Sequence, residues 1–199
     1  MTATKNKENS AWAMIKLGLI LACYAVASCT VLALVNNVTA PVIQKNNEEK
    51  AAKAMRAVFA QAESFNMLSS ERAGLLNVDS IGLALVEGRV AGAVAQVSGP
   101  TYDKATIMVG MTKDGTVTGV SFLANTDSPG FGLKASDPTF TLKSGKTFYG
   151  QFEGLQAKDG FVLNQNVDAI SGATITSRGV AALVERACVA MEKALKEAE

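Results

Sequence analysis

In this chain of 199 residues, types and spacing point most directly to chemistry in one stretch: Asp168-Ala169-Ile170-Ser171-Gly172-Ala173-Thr174-Ile175-Thr176-Ser177-Arg178-Gly179. Four hydroxyl side chains, Ser171, Thr174, Thr176 and Ser177, crowd around the small residues Gly172 and Ala173, just ahead of a segment of helical composition. Two readings follow from the residues alone. In the first, Thr176 or Ser177 caps the helix and Asp168 caps or braces the turn, because short polar side chains satisfy the unpaired N–H groups of a first helical turn. In the second, successive backbone N–H groups at a small-residue turn, helped by the helix dipole, form an anion site. Gly172 and Ala173 let a phosphate approach closely, and Arg178 supplies charge beside it. The pattern speaks for phosphate; it names neither the rest of a ligand nor a covalent bond.

The elements that must hold this turn can be read outward from it. Val180, Leu183, Val184, Ala187, Met191, Ala194 and Leu195 recur at three- and four-residue spacing. This predicts a helix over residues 179–198 with one face packed on a sheet. The sheet is predicted upstream, from apolar runs at residues 81–86, 90–97, 105–111 and 117–123. Glu87-Gly88-Arg89 and a turn containing Asp114-Gly115 separate them pairwise, as hairpins require. Many glycines lie inside these strands, which marks bulges or another group packed close to the backbone. Residues 124–154, with Pro129, Pro138 and several glycines, read as loops. Near the start, residues 17–35 carry no charge, a run long enough to cross the hydrocarbon core as a helix. Trp12 and Lys16 sit where interfacial anchors belong. A signal peptide would have a shorter apolar core and a small-residue cleavage site, so an uncleaved span is expected. The lysine-bearing tail, with Lys5, Lys7 and Lys16, is expected in the cytoplasm and everything after the span outside it. Pro41 is expected to open a second helix over residues 42–62, where Ala, Glu, Lys, Gln and Met abound.

The expected organisation is therefore α+β: a cytoplasmic tail (1–16), a transmembrane helix (17–36), a juxtamembrane helix or linker (37–65), and an antiparallel-sheet domain with flanking helices (66–199). Composition excludes several functions. The sequence has no histidine, which removes Ser-His-Asp and Cys-His nucleophile activation and the commonest transition-metal ligand. Net charge is +1 with no basic run, so nucleic acid is not an expected partner. Cys23, Cys29 and Cys188 form no Cys-x-x-Cys pair, which argues against a zinc or iron–sulfur site and for small apolar fillers. No Gly-x-Gly-x-x-Gly follows a strand, so NAD is not an expected ligand of this chain.

Asp168-x-x-Ser171-Gly172-Ala173-Thr174, followed by Thr176-Ser177, resembles the flavinylation motif of FMN-binding domains. Such domains occur in the G subunit of the Rnf electron-transport complex and the C subunit of the sodium-translocating quinone reductase. Thr126-Asp127-Ser128-Pro129-Gly130-Phe131-Gly132-Leu133-Lys134 is similar to the family's Glu-Thr-Pro-Gly-Leu-Gly loop, with Asp127 and Ser128 as acid and hydroxyl and Phe131 in place of Leu. Where the family carries a Gly-Tyr pair, this chain has Gly99-Pro100-Thr101-Tyr102. The resemblance implies FMN joined through a phosphodiester to Thr174 by a dedicated flavin transferase. It implies a site comprising Thr174, Ser171, Gly172, Ala173, Thr176 and Asp168, with Phe131, Leu133 and Lys134 toward the flavin ring; core packing for Phe131 and Leu133, and a solvated Lys134, are the alternatives. It also implies a membrane-bound subunit that relays electrons between ferredoxin-side and NAD-side partners in a complex moving sodium or protons. Overall length favours the Rnf G subunit. The alternatives are a C-type quinone-reductase subunit or other anchored flavoprotein and, more distantly, a non-redox anchored binding domain.

Overall fold

A computed structural model describes residues 3–198; the first two residues of the expected tail and the last of the expected domain lie outside them. The chain divides into two units, residues 1–48 and 49–199. The described residues of the first all lie in helix α1 (Ala3–Val58), whose C-terminal turns belong to the second. From residue 12 to residue 48 every side chain of α1 is exposed, and this is the one helix among the described residues long and apolar enough to cross a membrane. Two of its hydroxyls are satisfied locally: Thr30 Oγ1 donates to Val26 O at 2.8 Å and Thr39 Oγ1 to Val35 O at 2.7 Å. The predicted helix opening at Pro41 is not found, because Pro41 lies inside α1. Proline there removes the bond its N–H would give the Asn37 carbonyl and crowds that carbonyl, a local cost offset by good helix formers that follow, such as Glu48, Glu49 and Lys50.

In the second unit five strands form one antiparallel meander in sequence order: β1 (Ser64–Met67), β2 (Ser80–Val86), β3 (Arg89–Pro100), β4 (Lys104–Thr112) and β5 (Val117–Asn125). A short helix, α2 (Ser70–Leu75), joins β1 to β2 behind the N-cap Ser69. Val86 pairs with Arg89, so the loop between β2 and β3 is the two residues Glu87-Gly88. Both have positive φ, 51° and 73°, the conformation whose twist matches the flanking strands. The four strands expected from periodicity are β2 to β5; β1 is an addition.

Alternation divides the sheet cleanly. Ile81, Leu83, Ala93, Ala95, Val97, Ile107, Val109 and Met111 face the main core. Ala84, Val94 and Met108, one residue out of phase, face Ala54, Val58 and Phe59 at the end of α1 and just beyond it. The strand glycines explain this second contact. A Cβ on Gly110 would lie 2.6 Å from Val58 O, one on Gly119 3.2 Å from Val58 Cα, and one on Gly92 2.6 Å from the Phe59 ring. Three adjacent strands thus form a bare socket for the end of α1, and Thr118 Oγ1 donates to the Val58 carbonyl within it.

The main core is closed by α3 (Thr174–Glu197), which lies on β3 and β4. Val180, Leu183, Val184, Ala187, Met191, Ala194 and Leu195 are all buried, as the spacing predicted. Each large apolar side chain among them contributes about 2 kcal/mol through burial. The loop-rich segment after β5 folds over the rest of the core, where Phe148, Phe152 and Phe161 stack edge-on or tilted at centroid separations of 5.9 and 5.7 Å. The helix begins five residues before its predicted start at Gly179, so the hydroxyl-rich turn and the first helical turn are one structure.

Candidate functional site

Three chain segments meet at the start of α3: the β3–β4 turn, the Pro-Gly loop after β5, and the turn leading into the helix. Asp127 joins them. Its side chain is 3% exposed, and its Oδ1 accepts from Thr101 Oγ1 at 2.6 Å and from the Asp103 N–H at 2.7 Å. Its Oδ2 accepts from Thr176 Oγ1 at 2.6 Å. Burial pushes this carboxyl's pKa up, but the Thr101 and Thr176 hydroxyls and the backbone N–H groups outweigh it and hold the group below its ordinary value. Asn125 braces the same loop, accepting from the Asp127 N–H at 3.0 Å and donating to Gly132 O and Ser136 Oγ. Gly132 has no room for a side chain, since a Cβ there would lie 2.4 Å from Thr176 Oγ1 and 2.7 Å from Asp127 Oδ2.

The turn into α3 is closed by Ser177. Its buried Oγ accepts from the Ile170 N–H and donates to Ala173 O, both at 3.0 Å. Gly172, at φ 78°, makes the left-handed step that reverses the chain. Neither Thr176 nor Ser177 is the N-cap that the capping reading expects. That position is Ala173, with no side-chain bond, and both hydroxyls are spent on tertiary contacts within the first turn. Consequently the N–H groups of Thr174, Ile175 and Thr176 meet no protein acceptor among the described residues. A helix of 24 residues concentrates partial positive charge there.

These segments enclose a cleft of about 590 Å³ lined by Tyr102, Ser128, Pro129, Phe131, Gly132 and residues 172–176, within the size range of small-molecule sites. Of the residues singled out from sequence, Gly172, Ala173, Thr174, Thr176 and Phe131 line it. Ser171 is exposed beside it. Asp168 is also exposed, with its backbone N–H and carbonyl both bonded to the Gln151 amide, and among the described residues its carboxylate does not make the capping bond that the first reading expects. Leu133 and Lys134 lie in a short 3-10 turn, Gly132–Ser136, and Lys134 Nζ sits 5.5 Å from the centre of the Phe140 ring instead of in the cleft. Arg178 is exposed on α3 and is not part of the lining. Sequence reasoning did not single out Tyr102 or Ile175. They are 65% and 60% exposed and with Phe131, at 58%, make bare apolar walls; each is a large side chain in an otherwise polar turn, which was the available signal.

The chain matches two family models: the FMN-binding domain over residues 101–189 and the RnfG N-terminal region over residues 1–58. It is 31% identical over 195 residues to the G subunit of the sodium-translocating ferredoxin:NAD(+) oxidoreductase complex of Acetobacterium woodii, covering 89% of this chain and 91% of that one. It is 30% identical to the G subunit of an ion-translocating oxidoreductase complex of Vibrio cholerae, covering 86% and 87%. The G subunit of the proton-translocating ferredoxin:NAD(+) oxidoreductase complex of Clostridium ljungdahlii is 26% identical, with 93% and 94% covered.

Proposed function

This chain belongs to the family of G subunits of ion-translocating oxidoreductase complexes, and we propose that it relays electrons in such a complex through an FMN bound covalently to Thr174. The observation that carries this reading is the state of the four hydroxyls around Gly172. Thr176 and Ser177 are buried and hydrogen-bonded, and Ser171 lies outside the cleft. Thr174 alone is both exposed and part of the cleft wall, at the helix start where N–H groups have no acceptor. A phosphodiester there keeps about one negative charge, which the helix N-terminus favours.

The cleft suits the rest of the group. Phe131, Tyr102 and Ile175 offer apolar surface for a flavin ring, and Ser128 offers a polar group at its edge. When bound, the flavin supplies the electron-transfer chemistry; the chain's residues fix its position and shape its surroundings. Covalent attachment prevents loss of the cofactor and lowers the entropic cost of holding it. Attachment by a flavin transferase outside the cytoplasm agrees with an N-terminal tail kept inside by its lysines and a span over residues 17–36. Electrons pass between ferredoxin-side and NAD-side subunits, coupled to sodium or proton movement. The test is ferredoxin-dependent NAD reduction by membranes holding the whole complex. Thr174→Val abolishes it while the chain remains in the complex; unchanged activity overturns the relay.

A further inference from the structure

None of the ten residues that line the cleft carries a charged side chain. The charge lies one layer behind. Thr176 and Gly132 are both lining residues and both touch Asp127: Thr176 Oγ1 is 2.6 Å from Oδ2, and a Cβ on Gly132 would lie 2.7 Å from the same oxygen. The partners of this carboxylate are all neutral donors, namely Thr101 Oγ1, Thr176 Oγ1 and the backbone N–H groups of Asp103 and Tyr102. They disperse its charge without cancelling it, and no cationic side chain pairs with it among the described residues. Of the other charged groups of these segments, Asp103, Lys104, Asp168 and Arg178 are exposed and screened by water, and the half-buried Lys134 sits against the Phe140 ring. A buried, unneutralised charge acts across a low-dielectric wall much more strongly than they do.

From this geometry we infer that Asp127 sets the electron affinity of the flavin, its carboxylate standing behind Gly132 and Thr176 as a fixed negative charge that opposes electron uptake in the cleft. The inference rests on the flavin reading given above. Electron uptake adds negative charge to the flavin, and a nearby carboxylate disfavours that charge. The residue therefore keeps the group at low potential, as an acceptor matched to a strongly reducing donor. Asp127 is thus a positioning residue with an electrostatic role: it ties three segments together and polarises the cleft they form.

The experiment is an anaerobic titration of the flavin-bearing full chain in detergent at pH 7, with dithionite as reductant and reference dyes as indicators. Asp127→Asn keeps the shape and removes the charge, and its midpoint rises above that of the wild type. Thr101→Val keeps the charge and removes one donor that disperses it from outside the cleft, and its midpoint falls. Opposite signs distinguish an electrostatic role from a structural one, because loosening the junction shifts both variants the same way. An unchanged or lowered midpoint in Asp127→Asn overturns the inference. Should that variant fail to acquire flavin, Thr101→Val decides: a fall supports the inference, and an unchanged or raised midpoint overturns it. Wild-type protein without flavin removes the reading of the cleft and this inference together. Flavin-bearing wild type with insensitive variants removes the inference alone.

Discussion

Substituting Gly110 by alanine tests how the end of α1 is seated in the sheet. A Cβ at this position would lie 2.6 Å from Val58 O, 3.1 Å from Val58 C and 2.5 Å from Thr118 Oγ1. The hydroxyl can rotate, but the Val58 backbone ends a helix whose neighbouring residues Ala54 and Phe59 are already buried, so the contact must be relieved by withdrawing that end. Overpacking of this kind costs about 1–3 kcal/mol. Losing the bond from Thr118 to the Val58 carbonyl costs about 1 kcal/mol more. Alanine's lower unfolded-state entropy returns about 0.5–1 kcal/mol. The net loss is about 1–3.5 kcal/mol, which for a unit of this size lowers Tm by roughly 2–14 °C. The assay is thermal unfolding of the full chain in detergent, followed by circular dichroism. Gly74→Ala is the control: Gly74 lies in α2 with nothing within 4 Å of an added Cβ, so alanine there stabilises by up to about 1 kcal/mol. Equal melting points for the two variants, or a Gly110→Ala protein within about 2 °C of wild type, would refute the socket.

Other consequences are checked more simply. Thr176→Val removes a buried hydroxyl that donates to an ionised carboxylate, so stability falls by about 2 kcal/mol in a urea titration, yet flavin attachment persists because this hydroxyl is already engaged. Asp127 has a folded-state pKa below its ordinary value, so its contribution to stability is complete above about pH 4 and is lost as pH falls through the folded value. Asp127→Asn accordingly flattens the acid limb of a stability-versus-pH curve and leaves the slope above pH 5 unchanged. Burial, with Glu192 and Glu185 adding to it, pushes the Cys188 thiol up to about 12. In a chain with Cys23 and Cys29 changed to alanine, a thiol reagent at pH 8 modifies Cys188 only after unfolding; rapid labelling of the native protein would contradict this burial.

Sequence patterns located most of what repeats and little of what closes. Strands β2 to β5 and the buried stripe of α3 were legible because alternation and three-to-four spacing record which face is covered. Strand β1 was not: Ser-Phe-Asn-Met is short and exposed on three of its four residues, and it contains no β-branched residue. The start of α3 was placed late because Thr174, Ile175, Thr176 and Ser177 are weak helix formers. The bonds from Thr176 to Asp127 and from Ser177 to Ile170 and Ala173 hold them helical in spite of that. Of the residues that line the cleft, the local motif had singled out Gly172, Ala173, Thr174 and Thr176, and the Pro-Gly loop had singled out Phe131. Lys134, close to Phe131 in sequence, lies away from the cleft lining, since the turn beginning at Gly132 carries it over to Phe140. The junction at Asp127 joins residues 26 and 49 positions away, Thr101 and Thr176, a relation no local spacing contains.

The most direct test is of the bond to Thr174 itself. The full chain is produced together with a flavin transferase, separated on a denaturing gel and viewed for flavin fluorescence before staining, beside Thr174→Val and Ser171→Ala. A fluorescent band in the wild type and in Ser171→Ala, with a dark band for Thr174→Val, is the expected result. A dark wild-type band, from a transferase proven active on another substrate, or a fluorescent Thr174→Val band, would contradict the account.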